Sequence, residues 1–266
     1  VAPGTQATRM TIRDDTYRLR ITGTGSKTDI RLDVPEIVLE SEAVVSLVLT
    51  DTHGGVLVNA ILLPQRGEPL RFDNPKVRLR AAAGLSTGST VSVTLGTTQV
   101  LSRRPARSFF PAAYSQLAPG NTAVTVEVDD VVVGTGMLNL EAGQDYTLLL
   151  WDEAGTLRMT LVPDANHVAE AGRARIRLLH GMSGLGTPVS MSMNYLPVAE
   201  FVEVGEASEH TELNPGTGYR LEVIDAQTLG PLLVREDVAM ESGGVYTFFV
   251  AGGGGSAVAG TLRKDR

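Results

Sequence analysis

The residues that could do chemistry in this sequence are four histidines, one tryptophan, an aromatic cluster and several paired acids. His53 falls among turn residues, His167 in a linker-like stretch, His180 at the end of an apolar run and His210 between Glu209 and Glu212. A zinc site needs three or four convergent ligands, and no His-x-x-x-His or Glu-x-x-His spacing brings two of these together. The absence of cysteine removes disulfides, thiolate catalysis and cysteine-based metal sites at once. The expectation is no metal and no cofactor.

Catalytic motifs fare no better. Thr24-Gly25-Ser26-Lys27-Thr28 separates its glycine from its lysine by Ser26 and is followed by no helical pattern, so it reads as a hairpin turn rather than a phosphate loop. Gly181-Met182-Ser183-Gly184 has no strand-to-helix turn to strain its serine. Asp129-Asp130 and Asp152-Glu153 sit at turn positions, where acids bond to their own backbone, whereas a glycosidase pair must face across a cleft. These readings predict a chain that is not an enzyme.

Aromatic side chains are a common carbohydrate platform, which singles out Phe109, Phe110 and Tyr114 in one loop and Trp151 at a strand end. Trp151 stands where two related segments carry Thr50 and Ala251, so the fold does not require tryptophan there. Phe109 and Phe110 read rather as plugs of the sandwich or of the joint between modules, since large apolar side chains prefer burial. Together with His180 these four are the candidate ligand or interface residues.

The elements that must position them are strands. Hydrophobic residues make up 42% but aromatics only 5%, and 29 glycines with 13 prolines supply turns for many short strands. Leu39-Glu40 through Leu49 recurs as Leu140-Glu141 through Leu150 and again as Met240-Glu241 through Val250, each followed by a glycine-bearing turn and a second apolar run. A hairpin therefore repeats three times. Leu117-Ala118-Pro119-Gly120 answers Leu213-Asn214-Pro215-Gly216, and Thr16-Tyr17-Arg18-Leu19 answers Gly218-Tyr219-Arg220-Leu221. Val77-Arg78-Leu79-Arg80 and Ile176-Arg177-Leu178-Leu179 read as matching opening strands with one buried and one wet face.

The fold expected is all-β, with tandem antiparallel β-sandwich (Ig-like) modules over residues 75–172 and 173–266 and an incomplete one over 1–74. Pro64 to Asn74 and Pro163 to Gly172 are the expected linkers. Leu140, Tyr146, Leu148 and Leu150 are predicted core, as are Met240, Tyr246, Phe248 and Val250. Residues 16–74 match only the later half of a module, and residues 1–15 are too few to supply the missing strands.

A net charge of −7 and a pI near 5.2 argue against a nucleic-acid partner, which needs a concentrated basic face. No apolar run approaches the ~20 residues of a membrane-spanning helix. Val1-Ala2-Pro3-Gly4-Thr5 suits the mature start of a secreted chain, periplasmic or extracellular, after signal removal.

Through Arg175-Ile176-Arg177-Leu178-Leu179-His180, the stretch Leu213 to Tyr219 and the hairpin Glu241 to Thr247, the chain resembles a family of bacterial secreted repeats catalogued as domain of unknown function four-three-nine-seven. The resemblance runs from Thr16 onward and implies β-sandwich repeats. The family's histidine falls at His180 in the last module and at Ala81 in the middle one, and its second-strand acid is replaced by Ser92 and Ser190. A looser likeness to the accessory protein of alginate O-acetylation, also a secreted β-sandwich pair, implies a polysaccharide setting. The reading that follows is a non-enzymatic structural or adhesive protein of the bacterial envelope or extracellular matrix, self-associating through its incomplete first module, as in a fibre subunit. The alternative is a carbohydrate-binding or exopolysaccharide-processing accessory module.

Overall fold

Alternating apolar and polar residues become strand throughout. A computed structural model describes residues 9–86, 90–106, 113–153, 155–253 and 256–266, which form twenty-one strands and, among the described residues, no helix. They divide into two compact units, one of residues 1–51 and 57–74 and the other of Thr52–Val56 with Pro75–Arg266.

In the first unit β1 (Asp15–Thr22) pairs antiparallel with β2 (Ile30–Leu39), and β3 (Val45–Asp51), β4 (Val58–Pro64) and β5 (Leu70–Phe72) form a second sheet. Leu32, Val34, Ile37, Ala60 and Leu62 make its small core. The stretch 64–74 is thus not only a linker. It carries β5, and the Asn74 side chain donates to the Val58 carbonyl at 3.0 Å.

The second unit contains two sandwiches of one topology. The middle one comprises β6 (Val77–Gly84), β7 (Thr90–Leu95), β8 (Thr98–Pro105), β9 (Ser115–Leu117), β10 (Gly120–Val128), β11 (Val131–Leu140), β12 (Asp145–Glu153) and β13 (Thr156–Asp164). Its sheets are ordered β13-β12-β6-β9 and β11-β10-β7-β8. The last comprises β14 (Ala174–Gly181), β15 (Val189–Met193), β16 (Leu196–Val202), β17 (Thr211–Leu213), β18 (Gly216–Asp225), β19 (Pro231–Met240), β20 (Val245–Gly253) and β21 (Ser256–Lys264), ordered β21-β20-β14-β17 and β19-β18-β15-β16. In both, the opening strand runs parallel to the closing-hairpin strand, β6 beside β12 and β14 beside β20, while every other pairing is antiparallel.

All eight predicted core residues are buried, in one cluster per sandwich. Asp129 and Asp130 (φ 51° and 64°) and likewise Asn194 and Tyr195 (φ 48° and 67°) take the left-handed pairs of tight hairpins. Ser92 and Ser190 do identical work: each Oγ accepts the amide of a bulged neighbour, Arg103 at 3.0 Å and Phe201 at 3.1 Å.

Two expectations need correction. Ladder pairing sets Tyr146 opposite Leu79 and Tyr246 opposite Ile176, so Leu79 corresponds to Ile176 and the position of His180 in the middle module is Ala83, not Ala81. A two-residue slide keeps every side chain on its face, so alternation alone could not detect it. Nor do the opening strands have a wet face. Every residue of β6 is buried and so are nearly all of β14, because the second face packs against the other sandwich.

Candidate functional site

The packing of the two sandwiches creates the most elaborate side-chain constellation in the second unit. Its apolar part is Ala82, Leu149 and Val162 from the middle sandwich against Leu179, Phe249 and Ala251 from the last. These outward residues lie between the inward ones in the runs Leu148-Leu149-Leu150 and Phe248-Phe249-Val250, so both faces of each strand are apolar.

Beside it lies a polar layer with crossed connections. Arg80 donates through Nε to Thr147 of its own sandwich at 2.9 Å and reaches Asp265 at the end of the other sandwich's last strand, with Nη2 at 3.2 Å. Arg177 repeats the arrangement: Nε donates to Thr247 at 3.1 Å and Nη2 pairs with Asp164. Thr147 in turn donates to Asp164 at 2.7 Å and Thr247 to Asp265 at 2.6 Å. Arg80 and Arg177 are only 1% and 3% exposed, so these are desolvated pairs. Burial opposes charge on Asp164, yet Arg177 and Arg80 hold its carboxyl below the ordinary value.

Tyr114 joins this layer. Its hydroxyl donates to Asp164 at 2.6 Å and accepts from Asn166 at 3.0 Å, and its ring lies under the guanidinium groups of Arg78 and Arg80, at 4.2 and 4.5 Å. Burial pushes its phenol well above the ordinary value. Arg78 stands 3.3 Å from Asp145, whose other carboxylate oxygen accepts from Asn166 at 2.9 Å. Thus the stretch 163–172, expected as a plain linker, supplies Asp164 and Asn166 to a buried network.

Trp151 stands at the edge of the same joint. Its Nε1 donates to Thr160 at 3.3 Å, and its ring lies so close to Gly205 of the last sandwich that a Cβ there would come within 2.8 Å of Nε1. Gly205 is further fixed by φ 87° and by donating its amide to the carbonyl of His180 at 2.8 Å. The His180 ring is fully buried; Nδ1 accepts the Met182 amide at 3.2 Å, and burial pushes its pKa down to about 4. The structure therefore brings Tyr114 and Trp151 to one joint; the His180 ring shares the face of β14 that carries Ile176 and Leu178 into the last sandwich's own core, with only its backbone carbonyl bonded to Gly205, and Phe109 and Phe110 lie outside the described residues.

Arg80, Arg177, Asp164 and Asp265 were missed by sequence reasoning because charged residues on alternating strands read as solvated. The repeat held the signal: each last strand ends in an aspartate, Pro163-Asp164 and Lys264-Asp265. Among the described residues no group of three histidines, aspartates or glutamates could hold a metal.

Exposed surface differs in kind. On the last sandwich Tyr195, Leu196, Phe201 and Leu229 all stand largely in solvent, and a groove of about 340 Å³ beside Phe201 is lined by Glu200, Glu206, Ser208 and Glu209. On the first unit the apolar residues Leu47, Val48 and Leu49 are exposed along β3, as is Val44 just before it.

Residues 79–187 match the family described as Domain of unknown function (DUF4397), from within β6 through the middle sandwich and past β14. No curated protein matches the chain. Among solved structures the chain is similar to a family 26 carbohydrate-binding module of Eubacterium rectale Amy13K, crystallised in complex with maltoheptaose, at 12% identity and a TM-score of 0.23, over 71% of this chain and 96% of that one.

Proposed function

We propose, for a chain that carries a domain of the DUF4397 family over residues 79–187, a non-enzymatic structural or adhesive role in the bacterial envelope or extracellular matrix. The observation that carries this reading is the crossed joint: the charged groups that converge in the second unit hold two sandwiches together and lie buried away from solvent. Repetition of one module, net acidity and the lack of cysteine support an exported spacer. The outer edge of β3, to which no strand pairs among the described residues and along which Leu47 and Leu49 are exposed, supports self-association into a larger assembly. Sedimentation and negative-stain imaging of the purified chain at micromolar concentration test it. Assembly beyond the monomer is expected, and a cooperatively folding monomer whose residues 9–74 resist protease would count against it.

A second reading, a carbohydrate-binding module, is favoured by one observation. Phe201, held out from the sheet by a left-handed bulge of φ 53°, borders a groove whose acids can accept hydroxyl hydrogen bonds. Titration against a glycan panel tests this reading, and loss of binding in Phe201→Ala would place it in that groove.

A further inference from the structure

We propose that β11, an outer strand of the middle sandwich, pairs antiparallel with β11 of a second copy of this chain, so that two four-stranded sheets become one. This contact lies in the second unit and goes beyond the structural reading given above, which draws on the edge of β3.

The four sheets of the second unit have eight outer strands: β8, β9, β11, β13, β16, β17, β19 and β21. An outer strand bares unpaired amides and carbonyls, and proteins blunt it with charge, proline, bulges or brevity. Here β9 and β17 are only three residues long. Ionised side chains mark five others: Arg103 and Arg104 on β8, Arg158 on β13, Glu200 on β16, Arg263 and Lys264 on β21, and Arg235, Glu236 and Asp237 on β19. Among the described residues β11 is the exception, with ten residues, no ionisable side chain and no proline.

The counterpart of β11 in the last sandwich is β19, since Gly120 faces Leu140 as Gly216 faces Met240. Counted back from Leu140 and Met240, Thr135, Gly136 and Met137 stand where β19 carries Arg235, Glu236 and Asp237. β19 also opens on Pro231, shifts its ladder with β18 in three places and takes φ 57° at Asp237. The ladder of β11 with β10 shifts once, beyond Gly134, and is regular from there to Leu140. The side chains exposed along β11 are Val131, Val132, Val133, Thr135, Met137 and Asn139, all uncharged. One topology thus builds a guarded edge in one sandwich and an unguarded one in the other.

The lack of charge also selects the occupant. Pairing with an identical strand about a two-fold axis brings like residues together, and like charges directly opposite one another are destabilising. In a chain of net charge −7 self-pairing therefore needs an edge without ionised groups. A different partner would be matched by opposite charge, and β11 offers none to match. Full overlap of the regular stretch Gly134 to Leu140 with its copy puts the axis at Met137 and sets Thr135 opposite Asn139. Both pairings are neutral, the flexible methionine can pack on its own copy, and the two bared backbones supply the hydrogen bonds.

Sedimentation equilibrium of the full chain across the micromolar range tests the inference. A dimer is expected, weakened at least tenfold by Thr135→Glu with Met137→Asp. Both side chains are exposed, so the fold should be kept, which circular dichroism checks. Thr98→Glu with Gln99→Asp puts the same charge on exposed positions of β8, the opposite edge of that sheet, and should leave the dimer intact. Because the chain has no cysteine, the register can be read directly. Met137→Cys chains should join through a disulfide under mild oxidation, since residues opposite in an antiparallel pair have Cα atoms within disulfide reach, and Thr98→Cys chains should not. A monomeric native chain, equal effects of the two double variants, or no linkage through Met137→Cys overturns the inference. So does a larger assembly unchanged by Thr135→Glu with Met137→Asp, which would leave the structural reading standing. A chain that stops at a dimer sensitive to those two substitutions would count against the larger assembly and uphold the inference.

Discussion

Arg80 and Arg177 hold the same position in their two sandwiches, and each binds the aspartate that ends the other's last strand. The last sandwich bonds its own terminal aspartate through the Thr247 hydroxyl, and the middle one bonds Asp164 through the Thr147 and Tyr114 hydroxyls, with its own Arg80 at 3.9 Å. The joint is therefore part of both folds, and each is incomplete in charge without its neighbour.

Removing one partner should be costly. Arg177→Ala strands Asp164 with only the more distant Arg80, at 3.9 Å, and the loss of a buried partner typically costs about 3–5 kcal/mol. Urea unfolding should show that loss for Arg177→Ala and a smaller one for the double substitution Arg177→Met with Asp164→Leu, which removes the orphaned charge along with its partner.

Asp145 gives the second unit a pH dependence of definite sign. Burial pushes its carboxyl up to about 7, against the pull of Arg78 and Asn166, from an unfolded value of 3.8. The folded state therefore holds a proton that the unfolded state has released, so this contribution is full below about pH 4 and lost as the pH rises to about 7. His180 and His210, pushed down by burial to about 4 and about 3, act oppositely, since their contribution is present above 6.5 and lost as the pH falls. Asp145→Asn isolates the first effect. Relative to the native chain, the variant should gain stability between pH 4 and pH 8, by at most about 4 kcal/mol, in urea titrations across that range.

The single tryptophan reports on the joint. Gly205→Ala places a methyl group against the indole and puts alanine at φ 87°. It should cost roughly 1–3 kcal/mol and shift tryptophan emission to the red as the ring is displaced toward water, whereas Gly186→Ala, also at positive φ but with open space around it, should leave the spectrum unchanged.

Equivalent leucines should behave differently in the two units. Leu148→Ala opens a cavity in a closed core and should cost about 2–5 kcal/mol, while Leu47→Ala, at the corresponding place on the open edge, should cost under about 1 kcal/mol. Scanning calorimetry of the full chain gives both values. Comparable losses would mean that the edge of β3 is covered in solution.

Much of this fold was legible in the sequence because the inward positions of strands are written in a two-residue period. Leu148, Leu150, Phe248 and Val250 were identified as core on that basis, and the hairpin repeat located all three copies. The same periodicity misaligned the opening strands by two residues, since matching Ile176 to Val77 or to Leu79 changes no face. The joint was illegible for a different reason. Whether Arg80 and Arg177 meet water or a neighbouring sandwich depends on packing between modules, which no local pattern encodes. The unbroken apolar runs of β12 and β20 and the aspartate at the end of each last strand were its traces.

Because the contact between the sandwiches is reciprocal, it obeys an approximate two-fold symmetry and is closed: each module presents one such surface, and pairing consumes both. A contact of this isologous kind makes dimers of modules and cannot propagate a chain of them. Any longer array built from this repeat must alternate two kinds of junction, one sealed by exchanged charges and another made elsewhere.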